Sequence, residues 1–329
     1  MWILTKTLRY VFSIWVLYMH CALVSVSFAQ SELPLNPNSL DEIKKNGFAY
    51  VKAGDWDLAN SAFENALAIK PKDPLSLYGK SLALFNLNKI PEAESKLETV
   101  FEVLSSTKGN SKLLADSLVL SAVISAVQNR NSAAIEKLEK AIEYVPIHFD
   151  ANLSLGRAYF GNGEIVKSIA AFRRAVSIRP DHTKARFFLA TALERDGKSS
   201  DALKEYRAIL KLDHNSVEGN LGLGVLLLKT EGNSSVEGLS ALQRALEFNA
   251  ELYEGQITLG KTLVRLNRGA EAIGHLKKAA ALAPKNPEPH FQLSIAYRKL
   301  GKKEEASAET EIVKKIHESR RAVSHQIPQ

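Results

Sequence analysis

The segment NLSLGRAYFGNGEIVKSIAAFRRAVSIRP, residues 152–180, contains the pattern that decides the fold. In its first half Gly156 is followed three residues later by Tyr159, within a run of apolar residues at helical spacing. Gly163 marks a turn in the middle of the segment. Pro180 closes it, because proline cannot continue a helix. The segment therefore predicts two short helices joined by a tight turn.

The same pattern recurs on both sides of this segment at a step of 34 residues. Two columns of the repeat contain only Gly, Ala or Ser, the small residues that helices about 8–10 Å apart need where they approach most closely. The first column is Gly47, Ser81, Ala122, Gly156, Ala190, Gly224, Gly260 and Ser294, the second is Ala59, Ala93, Ala134, Ser168, Ala202, Gly238, Ala272 and Ala306, and a third apolar column is Ala66, Val100, Ala141, Ala175, Ile209, Ala245, Ala279 and Val313.

These columns predict eight repeats, because internal similarity at this period indicates stacked helical units. An insertion of seven residues near Ser105–Ser111 lengthens one connection, and an insertion of two near Gly232 and Asn233 lengthens another. Residues 30–39 are predicted to be a linker and residues 321–329 a disordered tail. The predicted repeats are residues 40–73, 74–107, 115–148, 149–182, 183–216, 217–252, 253–286 and 287–320.

The pattern resembles the tetratricopeptide repeat: a small residue, an aromatic or Leu three residues later, then Ala, an aromatic or Leu, Ala and Pro. The resemblance implies an all-α fold, a right-handed α-solenoid of about eight tandem helix–turn–helix units. It also implies a non-catalytic scaffold that binds other proteins. The alternative is an accessory subunit of an envelope assembly or of a polysaccharide or lipid export system.

In repeats of this kind the first helices line a concave groove, so positions 2, 5, 9 and 12 of each repeat are expected to face a partner. The early repeats place apolar residues there and the later ones mix cations with aromatics. The expected partner is a protein or peptide, amphipathic and with an acidic stretch; alternatively, the apolar part packs against neighbouring helices or the N-terminal segment. The implied groove residues are Phe48, Tyr78, Leu82, Phe85, Arg157, Phe160, Lys184, Phe187, Lys261, Phe291 and Arg298.

One subclass of these repeats holds the acidic C-terminus of cytosolic chaperones with Lys, Asn, Asn, Lys and Arg at set places. The matching residues here are Lys44, Phe48, Gly79, Asp116 and Leu120, of which only Lys44 agrees. The resemblance to the family therefore does not extend to this activity.

Residues 1–29 differ in kind from the repeats. Lys6 and Arg9 precede a long apolar stretch, and Ser27 and Ala29 are small residues at the positions that a signal peptidase reads. The segment is predicted to be a secretory signal peptide cleaved before Gln30, with an uncleaved signal anchor as the alternative. Both interpretations predict export, to a periplasm or the secreted space, with membrane attachment only in the second.

Composition indicates a folded chain, with 45% hydrophobic and 24% charged residues and a net charge of +7. It has neither the low hydrophobicity of a disordered chain nor the repeated apolar runs of a polytopic membrane protein. Export argues against nucleic acid as a partner. The basic doublets, which are interpreted as a solvated face, are Arg173-Arg174, Lys277-Lys278, Lys302-Lys303, Lys314-Lys315 and Arg320-Arg321.

Residues 255–262 match the phosphate-binding loop pattern letter for letter, but Gly260 belongs to the small-residue column of a predicted helix. The loop chemistry needs a strand before it and free backbone N–H groups at a helix start, so the match is rejected. The histidines after residue 29 are scattered and are predicted to be solvated surface residues. The sequence therefore predicts no catalytic residues, no cofactor and no metal.

Overall fold

A computed structural model describes residues 39–105 and 110–324. Over these residues the chain forms sixteen α-helices and no strand, as the repeat pattern predicts. The helices are α1 Leu40–Ala53, α2 Trp56–Ile69, α3 Pro74–Asn86, α4 Ile90–Ser105, α5 Ser111–Val127, α6 Asn131–Tyr144, α7 Phe149–Gly161, α8 Ile165–Ile178, α9 Thr183–Arg195, α10 Ser199–Leu212, α11 Val217–Thr230, α12 Val236–Phe248, α13 Tyr253–Arg265, α14 Gly269–Leu282, α15 Pro287–Lys299 and α16 Lys303–Ser324.

The chain divides into two compact units at Arg179 and Pro180. Unit 1 contains α1 to α8 and unit 2 contains α9 to α16. Inside each unit the two helices of a repeat pack on each other, and the second helix also packs on the first helix of the following repeat. No helix pair could bury its apolar face alone, so each unit is stabilised by the stacking of its repeats.

The small-residue column packs directly against the large residue of the second helix. A Cβ added at Gly47 would come within 2.8 Å of the Phe63 ring, and one added at Gly156 within 2.4 Å of the Phe172 ring. Phe63 and Phe172 are almost fully buried. Glycine at these sites lets the helix backbone approach the ring, which offsets the roughly 1 kcal/mol that glycine costs in a helix relative to alanine.

The turns inside the helix pairs use left-handed backbone at the same repeat position. Gly54 and Gly163 occupy this position with φ of 82° and 83°, and Asn88 has φ of 61° at the equivalent place. Glycine enters this region freely and asparagine is the residue that tolerates it best otherwise. The turn therefore needs Gly or Asn, which explains why the sequence pattern shows glycine in only some repeats.

The chain end differs from the sequence-based prediction. Helix α16 continues to Ser324, so residues 321–324 are helical and not part of a disordered tail. Residues 325–329 lie outside the described range, as do the predicted signal segment 1–29 and most of the predicted linker 30–39. None of the described helices is both long enough and apolar enough to span a bilayer.

Candidate protein-binding surface

The first helices of unit 1 carry the predicted groove residues on one face, because positions 2, 5, 9 and 12 share a side of a helix. We call this surface the unit 1 face. It consists of Lys44, Phe48, Leu75, Tyr78, Leu82, Phe85, Asp116, Val119, Val123, Asp150, Leu153, Arg157 and Phe160.

Two of the predicted groove residues, Tyr78 and Leu82, prove to be core residues. They are 7% and 4% exposed and belong to one cluster of buried apolar side chains. Their assignment as open apolar walls is therefore wrong, because neighbouring repeats cover this part of the face. Phe48 and Phe85 are partly buried and pack against the same cluster, and Phe48 meets Phe63 edge to face with ring centroids 4.9 Å apart.

Arg157 and Phe160, the remaining unit 1 groove predictions, are both partly buried on α7. Burial lowers the pKa of the Arg157 guanidinium from its ordinary value. Because its side chain is partly buried, Arg157 offers less surface to an acidic partner than an exposed arginine would.

The first helices of unit 2 hold the other predicted residues in varied environments. Lys184 is exposed on α9, and Phe187 is partly buried with its ring centroid 6.3 Å from that of Tyr206. Lys261 is paired with Glu288 at 2.9 Å, so its charge is already matched within the chain.

At the other end of unit 2, Phe291 on α15 is 47% exposed. Arg298 is exposed and donates to the Ser294 hydroxyl at 3.1 Å. One exposed aromatic and one exposed cationic side chain therefore lie on this first helix, about two turns apart.

A polar cluster on the unit 1 face escaped the sequence analysis. His148 Nδ1 accepts a hydrogen bond from the Ala151 N–H at 3.2 Å, which caps α7. The other ring nitrogen, Nε2, is 2.8 Å from Asp116 Oδ1. Because Nδ1 is an acceptor, Nε2 carries the proton and donates to Asp116. Asp150 lies in the first turn of the helix that His148 caps.

The prediction that the histidines are solvated surface residues is wrong for most of the described ones. His148 is 9% exposed, and His182 caps α9 by accepting from the Ala185 N–H at 3.1 Å. His275 contacts Gln256 at 2.8 Å and His290 contacts Glu309 at 2.6 Å. Only His214 and His317 are exposed as predicted, and His325 lies outside the described residues. Histidine is a rare N-cap, so sequence pattern alone gave no signal for this role.

The segment that matches the phosphate-loop pattern lies within α13, as predicted from its repeat position. A Cβ added at Gly260 would come within 2.6 Å of Leu276, so this glycine serves helix packing. Across residues 39–105 and 110–324, no group of three or more His, Cys, Asp or Glu side chains is arranged to hold a metal ion.

Comparison with known proteins agrees with this architecture. One tetratricopeptide repeat model matches residues 45–100, 126–183 and 188–254, more than half of the chain, and a second matches residues 263–323. Anaphase-promoting complex subunit 3 of Schizosaccharomyces pombe is 21% identical over 262 residues, which are 79% of this chain and 38% of that protein. The chain spans less than half the length of the curated relatives that it matches.

Solved structures show the same fold. The C-terminal part of a TPR repeat-containing protein from Cytophaga hutchinsonii aligns with a TM-score of 0.59 at 18% identity, covering 76% of this chain and 99% of that one. YrrB, described as a TPR protein with an unusual peptide-binding site, aligns with a TM-score of 0.50 at 20% identity, covering 60% and 97%. With repeat models matched along its length, this chain belongs to the tetratricopeptide repeat family.

Proposed function

We propose that this chain is a non-catalytic scaffold that binds a peptide or a helical segment of a partner protein on the first helices of its repeats. Tetratricopeptide repeat proteins act as protein–protein interaction scaffolds. The observation that carries the proposal is the mixed character of the unit 1 face. Phe48, Leu75 and Phe85 are partly exposed on a buried apolar base, and α5 and α7 contribute Asp116 and Asp150 to the same set of groove positions. A face with apolar and charged groups together suits the recognition of a segment that has both.

An acidic stretch in the partner is the finer part of this proposal. It rests on Lys184 and Arg298, which are exposed on first helices of unit 2, and no longer on Lys261, whose charge Glu288 matches. Export is a further part, supported by the basic start, apolar stretch and small residues of positions 1–29.

Site-specific photo-crosslinking tests the binding face. A benzophenone amino acid at Phe85 or Phe187 is expected to crosslink a partner in the cells that make this protein. The matched controls are the same amino acid at Glu98 and Lys277, which are exposed on the second helices α4 and α14. Crosslinks confined to positions 98 and 277 would place the partner on the second helices and contradict the proposal.

The partner identified in this way allows the charge proposal to be tested by binding kinetics. Lys184→Glu is expected to slow association at low salt, and the difference should shrink at 1 M salt, where the Debye length is about 3 Å. Lys277→Glu is the control for a general change in net charge. An equal effect of both substitutions would mean that no acidic stretch meets Lys184.

A further inference from the structure

The turn between α11 and α12 of unit 2 contains an acceptor pattern for N-linked glycosylation. Asn233, Ser234 and Ser235 form the sequence Asn-x-Ser, with a residue other than proline in the middle. Gly232 and Asn233 are the two residues inserted into the step of 34, so the pattern begins outside the regular repeat. Because so short a pattern also occurs by chance, the surroundings of the asparagine decide whether it can be modified.

The structure places this asparagine at the tip of a turn. Asn233 and Ser234 are the central residues of a tight turn, which is closed by a hydrogen bond from the Ser235 N–H to the Gly232 carbonyl at 3.2 Å. Asn233 is partly exposed and Ser234 is exposed, while Val236, the first residue of α12, is 80% exposed. The turn is therefore open to solvent, as the segments that connect helices usually are.

The amide nitrogen of Asn233 is the atom that receives the sugar in this modification. Its side-chain oxygen accepts one long hydrogen bond, from Nη1 of Arg265 at 3.4 Å. Within residues 39–105 and 110–324, no group accepts a hydrogen bond from its nitrogen. A sugar on this nitrogen would therefore replace no contact of the fold and would extend from the surface, where a bulky glycan is tolerated.

A second match to the pattern, formed by Asn152, Leu153 and Ser154, has the opposite surroundings. Asn152 is fully buried on α7, and its amide nitrogen donates to the carbonyl oxygens of Pro146 at 3.1 Å and His148 at 2.9 Å. A sugar on this nitrogen would break one of these bonds and would have no space among the packed helices. Of the two matches in the sequence, only the one at Asn233 is compatible with the fold.

Ser235 holds the third position of the pattern and also caps α12. Its hydroxyl oxygen accepts from the Gly238 N–H at 3.3 Å, and its hydroxyl donates to Oε2 of Glu231 at 3.0 Å. Asparagine caps a helix as well as serine does but does not complete the glycosylation pattern, whereas threonine does both. Substitutions at this one position therefore separate the two roles of Ser235.

We propose that Asn233 carries an N-linked glycan in the exported protein. The proposal rests on the export part of the proposed function, because this pattern is an acceptor in exported chains. The co-substrate is an oligosaccharide linked to a lipid pyrophosphate and presented by a transferase of the cell. The Asn233 nitrogen forms the bond to C1 of the first sugar as the bond from C1 to the pyrophosphate oxygen breaks. The lipid pyrophosphate leaves with the electron pair, and the amide gives one proton to a base of the transferase.

Peptide mapping by mass spectrometry of the full chain, isolated from its own cells, tests the site. The peptide that contains Asn233 is expected to carry the additional mass of a chain of sugars, and the peptide that contains Asn152 is expected to be unmodified. Asn233→Gln and Ser235→Asn should lose the added mass completely, and Ser235→Thr should keep it. Ser154→Ala, which removes the buried match, is the control and should leave the added mass unchanged.

Unfolding in urea checks that the loss in Ser235→Asn does not come from a damaged helix. When the wild type and this variant are both produced without the modification, they are expected to unfold at the same urea midpoint, because either residue caps α12. Loss of the added mass at an unchanged midpoint is a result that a purely capping role of Ser235 does not give.

The outcomes separate the glycan from export. A chain recovered outside the cytoplasm, cleaved or anchored, with Asn233 unmodified would overturn the glycan and leave export intact. An added mass on Asn152, or one that persists in Asn233→Gln, would also overturn the assignment. A chain that stays in the cytoplasm would refute export and the glycan with it.

Discussion

Gly156 lies so close to Phe172 that a Cβ added to the glycine would come within 2.4 Å of the ring. The two residues belong to α7 and α8, which form one repeat. This contact recurs between Gly47 and Phe63 and, with leucine, between Gly260 and Leu276. This contact sets how closely the two helices of a pair approach each other.

Gly156→Ala is expected to destabilise the chain although alanine is the better helix former. Overpacking a close contact costs about 1–3 kcal/mol, against a gain of about 1 kcal/mol from helix propensity. Gly274→Ala is the matched control, since Gly274 is also helical but nothing lies within 4 Å of its added Cβ. Urea unfolding followed by circular dichroism should show a lower midpoint for the first variant and a higher one for the second. Two shifts of the same sign would contradict the packing argument.

His148→Ala is expected to lower stability by about 1 kcal/mol, the usual effect of losing an N-cap. His148→Asn should recover most of the loss, because an asparagine oxygen can accept from the same backbone N–H group of α7. His317→Ala, at an exposed position of α16, should change the unfolding midpoint little. Equal losses for the Ala and Asn variants would show that the bond to Asp116, and not the cap, is the stabilising contact.

Asp150→Asn is expected to stabilise the chain in a pH-dependent way. An acid whose pKa is higher in the folded than in the unfolded state makes the fold less stable as pH rises between the two values. Burial raises the pKa of Asp150 above its ordinary 3.8, so the asparagine variant should be the more stable protein at pH 7. The difference should shrink as pH falls below 3.8, where aspartate is neutral in both states. Unfolding midpoints at several pH values measure this, and Glu98→Gln is the control for the loss of one exposed carboxylate.

Export is expected to remove residues 1–29. The basis is the basic start, the apolar stretch and the small residues Ser27 and Ala29. Intact mass or N-terminal sequencing of the protein isolated from its own cells should give a chain that begins at Gln30. A full-length species that remains with the membrane would favour the signal anchor instead.

The sequence by itself determined the repeat. The repeat can be recognised from three features: small residues at a fixed step, large apolar residues between them, and prolines after the second helices. This pattern predicts paired helices, because pairing buries the apolar side chains at these positions. The contact between Gly156 and Phe172 is thus readable from the columns alone. The segment that matches the phosphate-loop pattern could likewise be assigned to a helix from the sequence, because Gly260 falls in the same small-residue column.

Only the tertiary structure decided which side chains of the first helices remain open. Tyr78 and Leu82 share the helical face of Phe85, but their burial depends on helices that lie a repeat away in sequence. The contact of His148 with Asp116 and the pairing of Lys261 with Glu288 likewise join residues that lie far apart in the sequence. Periodicity within one helix predicts the direction in which a side chain points. What lies opposite that side chain is set by the stacking of the neighbouring repeats.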